Sequence, residues 1–121
     1  MTTDAIGASP TELLVVLCTV PDDTVARALA DRLVSRRLAA CVNILPGILS
    51  VYRWKGQIER ESELLLLIKT RAARFVELRD ALVEAHPYEI PEVIAMPVCD
   101  GYLPYLAWLQ EQTTAPDSQA R

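Results

Sequence analysis

The feature that most restricts the fold is a pair of long strand-like segments joined by two turn residues. The first segment covers residues 40–54, Lys55 and Gly56 reverse the chain, and the second covers residues 57–69. A strand over residues 40–54 extends on the order of 50 Å at roughly 3.3 Å per residue, whereas a compact domain of about 100 residues is on the order of 35 Å across. The end of this hairpin must therefore project beyond its own domain.

The two-residue turn sets the register of the hairpin. Four pairs of residues are expected to face each other: Trp54 and Gln57, Tyr52 and Glu59, Ser50 and Glu61, and Ile48 and Glu63. Large apolar side chains at the projecting end would lack cover from their own helices and would favour aggregation. Packing each projecting end against a neighbouring copy removes this exposure, and such a contact repeated around an axis closes as a ring. We therefore expect a homo-oligomer with these interface residues: Ile48, Val51, Tyr52, Trp54 and Tyr88.

Other interpretations of this hairpin stay open at the level of the sequence. Pro46 and Gly47 predict a kink or a bulge, but they could also divide the first segment into two short strands on a single domain. Tyr52 and Trp54 could form a stacking surface for an aromatic or cationic ligand instead of an interface. The alternating acidic residues of the second segment are interpreted as a solvated face, with weak cation binding as the alternative: Glu59, Glu61 and Glu63.

The remaining segments alternate between strand-like and helix-like patterns. Strand patterns cover residues 12–20 and 93–99, and helical patterns follow Asp22 and Thr70 and cover residues 102–109. Pro21, Asp22 and Asp23 supply a turn and the first predicted N-cap, and Thr70 is the second. The second helix must end near His86 because Pro87 disfavours helical geometry in the residue before it. The order β-α-β-β-α-β-α predicts an α+β, ferredoxin-like split βαβ sandwich. Two helices then cover one face of an antiparallel sheet of strand order 4-1-3-2.

Composition places the chain among single-domain globular proteins. We expect one domain over residues 11–112, with disordered ends at residues 1–10 and 113–121. The net charge of −4, with scattered Lys and Arg, disfavours a nucleic-acid partner. The apolar runs are far shorter than the roughly 20 residues that a membrane helix needs, and no export signal is recognisable. We therefore expect a cytoplasmic protein with no membrane partner.

One edge of the predicted sheet combines sulfur, nitrogen and oxygen donors. The end of the first strand carries Cys18 and lies beside a loop with three further donors: His86, Glu89 and Glu92. Thiolate and imidazole favour copper or zinc over magnesium or calcium, so these four residues are the candidate metal ligands. The structural alternatives are a buried core role for Cys18, a bond from His86 to a helix-end carbonyl, and anchoring of the loop by its other residues. The other cysteines are expected at the opposite edge: Cys41 and Cys99.

Six short strings along the chain closely resemble the CutA family of divalent-cation tolerance proteins. They lie at residues 18–21 (CTVP), 38–44 (LAACVNI), 52–56 (YRWKG), 68–70 (IKT), 86–92 (HPYEIPE) and 105–109 (YLAWL). The resemblance implies a ferredoxin-like protomer, a homotrimer that shares its hairpins, resistance to copper and other heavy metals, and copper binding in some bacterial members. Some copper-binding relatives have a second histidine where this chain has Ala85, so one ligand of their site is absent here.

We therefore predict a non-enzymatic homotrimer that acts in the response to divalent heavy-metal ions and binds copper, or alternatively zinc. The alternative is a small-molecule sensor or protein-interaction module similar to PII-type signalling proteins, acting through the cleft between subunits. An enzyme with Cys18 as nucleophile and His86 as base is disfavoured. The sequence offers it no third orienting group, phosphate-binding glycine loop or cofactor motif.

Overall fold

The computed structural model describes residues 12–114 of the chain. The elements are β1 (Leu13–Val20), α1 (Asp23–Ser35), β2 (Cys41–Trp54), β3 (Gln57–Arg71), a 3₁₀ turn (Ala72–Arg74), α2 (Phe75–Ala85), β4 (Ile94–Pro97) and α3 (Leu103–Gln112). This is the predicted order with one added 3₁₀ turn. The disorder predicted for residues 1–10 and 115–121 lies outside the described residues. No helix within residues 12–114 is long and apolar enough to cross a membrane.

The four strands form one antiparallel sheet in the order β2-β3-β1-β4, which confirms the predicted topology. Alternate residues of β1, such as Val16 and Cys18, face α1 and α2 and are fully buried in the main core. The opposite face is covered in part by α3, where Leu109 packs with Leu13 and Ala40. β1 is therefore the central strand that its continuous apolar run predicted.

The hairpin of β2 and β3 has the predicted register, with all four predicted pairs present. Between Leu45 and Ile48 the register shifts, because β2 uses one more residue than β3 there. Gly47 in this bulge has a φ of 80°, a left-handed conformation that residues with a Cβ rarely adopt. The bulge interrupts the pairing without ending the strand, so the alternative of two short strands on one domain is wrong.

We call residues 48–63, beyond the bulge, the arm. Its tip is the turn of Lys55 and Gly56, whose φ values of 51° and 80° suit the type I′ turn that joins two-residue hairpins. One face of the arm exposes three apolar side chains: Leu49, Val51 and Ile58. The arm therefore carries apolar surface that the helices of its own chain do not cover.

Two predicted boundaries differ in the structure. Thr70 does not cap α2, because β3 continues through it and α2 begins only at Phe75. The buried Thr70 hydroxyl donates to the carbonyl oxygen of Leu38 at 2.6 Å, and its β-branched side chain suits a strand. Thr113, in the predicted tail, is also buried, and its hydroxyl donates to the carbonyl oxygen of Leu109 at 2.9 Å. The packed part of the chain therefore includes Thr113.

Candidate functional site

A cleft of about 640 Å³ lies between the arm and the loop of residues 86–92 that follows α2. It is lined by Thr19, Ser50, Val51, Tyr52, Trp54, Glu63, Pro87, Tyr88, Glu89, Ile90 and Glu92. The antiparallel pairing of β1 with β4 brings this loop to the end of β1, as the topology predicted. Its volume lies within the range of roughly 300–1,000 Å³ that small-molecule sites occupy.

His86 fastens this loop to β1. Its Nε2 atom lies 2.8 Å from the carbonyl oxygen of Thr19, and the backbone N–H of Tyr88 donates to its Nδ1 atom at 3.1 Å. Because an amide N–H only donates, Nδ1 is the acceptor and the proton of the neutral ring is on Nε2, which donates to Thr19. Both ring nitrogens of His86 therefore have partners in this arrangement.

The Cys18 thiol and the His86 ring both lie next to the carbonyl oxygen of Thr19, and the thiol is not ionised. Its Sγ atom lies 3.8 Å from the carbonyl oxygen of Thr19, and its side chain is fully buried. Burial, and then the charges of Glu92 and Glu63, raise the pKa of the Cys18 thiol to about 12. The thiol is therefore protonated near neutral pH, and forming its thiolate is costly.

Glu63 is the cleft residue whose role the sequence interpretation missed. The alternating pattern predicts a solvated acidic row here, yet Glu63 is only 6% exposed and accepts a hydrogen bond from the Tyr88 hydroxyl at 2.6 Å. Burial first, and then the bond to Glu63, raise the pKa of Tyr88. The signal in the sequence was position: Glu63 directly precedes the apolar half of β3, so it lies where that strand enters the body of the domain.

The rim of the cleft joins the arm tip to the loop. Lys55 Nζ lies 3.7 Å from Glu89 Oε1, and both side chains are exposed. The same ammonium group lies 5.5 Å from the ring centroid of Trp54. The ammonium group of Lys55 therefore lies near both the Glu89 carboxylate and the Trp54 ring at the mouth of the cleft.

The predicted interface residues are distributed around the same cleft. Val51 and Tyr52 are exposed, whereas Ile48, Trp54 and Tyr88 are half-buried. All of them except Ile48 line the cleft. Their role as an oligomer interface stays a prediction.

The four predicted metal ligands do not converge on a metal site within one chain. Among residues 12–114, no three His, Cys, Asp or Glu side chains are grouped so as to hold a metal ion. Histidine binds a metal through a free ring nitrogen, whereas both ring nitrogens of His86 are used in hydrogen bonds, and the buried Cys18 thiol would have to release its proton on binding. This arrangement of a single chain does not fit copper or zinc.

Comparison with known sequences gives matches over most of the chain. A family model described as CutA1 divalent ion tolerance protein matches residues 14–112. The divalent-cation tolerance protein CutA of Thermus thermophilus is 50% identical over 99 residues, which cover 82% of this chain and 96% of that protein. Protein CutA of Homo sapiens is 45% identical over 107 residues, which cover 88% of this chain and 60% of the human protein.

A third relative is a rice protein whose name gives a chloroplast location. Protein CutA 1, chloroplastic, of Oryza sativa subsp. japonica is 46% identical over 100 residues, which cover 83% of this chain and 56% of the rice protein. The chain therefore spans about 60% or less of the human and rice proteins.

Solved structures match the fold as well as the sequence. The divalent cation tolerance protein of Thermus thermophilus superposes with a TM-score of 0.82 at 49% identity, covering 84% of this chain and 99% of that one. CutA1 of Oryza sativa superposes with a TM-score of 0.83 at 45% identity, covering 85% of this chain and 94% of that one. The family model, the sequence identities and the superpositions thus agree, and the chain belongs to the CutA1 family of divalent ion tolerance proteins.

Proposed function

We propose that this chain acts in the response to divalent heavy-metal ions as a non-enzymatic homotrimer. The observation that carries the proposal is the match to a divalent ion tolerance family over residues 14–112. The protonated Cys18 thiol supports a non-enzymatic role, because a Cys-His nucleophile would need a thiolate. The test is growth of a bacterial strain that lacks its own family member, at rising copper concentration, with and without this chain. Restored growth is expected, and unchanged sensitivity with the chain expressed and folded would contradict the proposal.

The trimer is supported by apolar surface that one chain leaves uncovered. On the arm, Leu49 is 68% exposed and Val51 is 58% exposed. On the sheet face that α3 covers only in part, three more apolar side chains are exposed: Leu45, Ile94 and Met96. Exposed patches of this kind mark interaction sites in soluble proteins. A head-to-tail contact between an arm and a neighbouring sheet closes as a ring, and three copies is the number that the family resemblance implies.

We further propose that copper, or zinc in its place, binds only in the assembled protein. The predicted ligands do not fit a metal site within one chain, whereas the carboxylates of Glu89 and Glu92 are exposed at the cleft beside the arm. A neighbouring copy would have to add donors there. Titration of the metal-free oligomer with Cu(II) and Zn(II) tests this proposal. Affinity that is unchanged in Glu89→Gln, Glu92→Gln, Cys18→Ser and His86→Ala would rule out these ligands.

A second candidate function is that of a small-molecule sensor or protein-interaction module, similar to PII-type proteins, that acts through the cleft between subunits. The observation that favours it is the cleft of one chain beside the arm, which has the size of a ligand site, combines aromatic with charged side chains and is lined by predicted interface residues. Shifts of the melting temperature across a panel of metabolites test it. A flat response across the panel would contradict it.

The cytoplasmic location is also part of the proposal. The support for this location comes from the sequence pattern alone. A relative can differ in location, since the rice protein is named as chloroplastic. Fractionation of cells that express the full chain, with markers for each compartment, is the direct measurement.

A further inference from the structure

The two faces of the arm carry opposite charges. Paired residues of a hairpin share a face and successive residues alternate, so the register assigns each side chain of the arm to one face. One face, which we call the basic face, carries Arg53 and Arg60 and no carboxylate. The other, which we call the acidic face, carries Glu59, Glu61 and Glu63 and no Lys or Arg. The arm is therefore divided by charge along its whole length.

The charges of the two faces do not neutralise each other within one arm. The arginines and the glutamates point to opposite sides of a two-stranded sheet. The ion pairs found among residues 12–114 include neither Arg53 nor Arg60, and they include neither Glu59 nor Glu61. Burial first, and then the charges of the three glutamates, raise the pKa of Tyr52 on the acidic face. Each face therefore keeps the charge of its own residues.

Apolar side chains accompany the arginines on the basic face. Leu49, Val51 and Ile58 are exposed there, and so are Arg53 and Arg60 beside them. Arginine and large apolar side chains are enriched together at protein interfaces, where opposite charges of the partner select the surface that binds. The basic face thus requires a partner surface that combines apolar side chains with carboxylates.

The chain itself has a surface of that chemistry. In β3, Leu64, Leu66 and Ile68 pack in the main core, so the alternate residues, Glu63 among them, point to the opposite side of the sheet. The acidic face of the arm is therefore continuous with the sheet face that α3 covers only in part. That sheet face carries exposed apolar side chains: Leu45, Ile94 and Met96. One copy thus presents carboxylates and exposed apolar side chains on one continuous surface.

We propose that the basic face of each arm docks on the acidic face of the next copy, so that Arg53 and Arg60 of one chain pair with Glu59 and Glu61 of its neighbour. Because each face meets its opposite and not itself, the contact is head-to-tail and closes as a ring instead of a two-fold dimer. This inference rests on the proposed homotrimer. It goes beyond the homotrimer because it names the two surfaces that meet and the charge that selects them.

Charge reversal on the full chain tests the pairing. The basic-face variant combines Arg53→Glu with Arg60→Glu, and the acidic-face variant combines Glu59→Arg with Glu61→Arg. In each variant the two surfaces that meet have the same sign of charge, which weakens an interface. Each is expected to raise the protein concentration at which the trimer dissociates by about tenfold or more, measured by sedimentation equilibrium. Added salt should narrow the difference from the wild type, because it screens the charges.

A combined variant with all four substitutions distinguishes charge pairing from damage to the arm. It restores opposite charges on the two faces and keeps the net charge of −4. It is expected to assemble as the wild type does, which would also show that each substitution allows folding. Arg32→Glu with Arg79→Glu, at exposed arginines of α1 and α2, is the matched control for the basic-face variant and should also assemble as the wild type does.

The contrary outcomes separate this inference from the homotrimer. Trimers of unchanged stability in both two-residue variants would overturn the docking of the two faces and leave the homotrimer standing, with the basic face open to an acidic partner of another kind. Weakened assembly that the combined variant does not recover would overturn the pairing of these residues. A wild-type chain that sediments as a monomer would overturn the homotrimer and the inference together, so the wild type is measured first.

Discussion

His86 donates from Nε2 to the carbonyl oxygen of Thr19 at 2.8 Å, and this bond joins the loop after α2 to the end of β1. The same ring accepts the N–H of Tyr88, so one side chain sets the position of the residue that reaches Glu63. The histidine that the sequence offers as a metal ligand is thus, within one chain, the anchor of one wall of the cleft.

The first prediction concerns this anchor. His86→Ala removes a buried donor and acceptor and leaves the amide of Tyr88 without its partner. We expect a loss of about 1–3 kcal/mol in the free energy of unfolding, the usual range for leaving a buried polar group unpaired. Urea denaturation of the metal-free protein, at the same protein concentration for every variant, measures this loss of stability. His86→Gln, whose amide can still donate to Thr19, should lose less, and equal stability of His86→Ala and the wild type would contradict the anchoring role.

The second prediction concerns the bond between Tyr88 and Glu63. Tyr88→Phe keeps the ring and removes the hydroxyl, so the buried carboxylate loses its donor. We expect a cost of about 1.5–3 kcal/mol, typical of hydrogen bonds to charged groups. Tyr105→Phe, at an exposed tyrosine of α3, is the matched control and should be near neutral.

A double-mutant cycle separates this bond from other effects. Adding Glu63→Gln to Tyr88→Phe should cost less than the sum of the two single changes, because each removes the same interaction. Strict additivity would show that the two side chains do not interact.

The third prediction concerns assembly. Val51→Glu places a charge on the exposed apolar face of the arm and is expected to convert the proposed trimer into smaller species, because a charge buried in an interface is costly. Sedimentation velocity measures the change against the chain mass of 13.4 kDa. Val83→Glu on α2, at a similarly exposed valine, is the control and should sediment as the wild type. A wild-type chain that sediments as a stable monomer would overturn the trimer.

The fourth prediction concerns the pH dependence of stability in metal-free protein. The Cys18 thiol loses its proton near pH 9.0 when exposed, and in the folded chain its pKa is about 12. Between these values the unfolded chain binds fewer protons than the folded one, so stability present below pH 9 falls as the pH rises towards 12. The full effect is on the order of 4 kcal/mol, at 1.36 kcal/mol per pKa unit.

Unfolding curves measured from pH 8 to 11 test the sign. Cys18→Ala should lose less stability over this interval than the wild type, while Cys99→Ala, at an exposed thiol, should lose as much as the wild type. Equal slopes for Cys18→Ala and the wild type would contradict the assignment.

Local patterns in the sequence were sufficient for most of the fold. The N-cap of α1 lies within the predicted turn: it is Asp22, with the N–H of Val25 donating to its carboxylate at 2.9 Å. The two-residue turn at Lys55 and Gly56 determined the hairpin register, because a tight turn leaves one way to pair the strands. The element order then predicted the correct strand order of the sheet, since few topologies bury the apolar faces of these helices and strands.

The sequence by itself therefore determined the elements, the strand order, the projecting hairpin and the family. Only the tertiary structure decided the chemistry of the cleft, namely that Glu63 is buried, that Cys18 stays protonated and that His86 uses both ring nitrogens. The reason is physical. Periodicity and turns depend on neighbours along the chain, whereas the ionisation and pairing of a side chain depend on burial and on groups far apart in sequence, as with Tyr88 and Glu63.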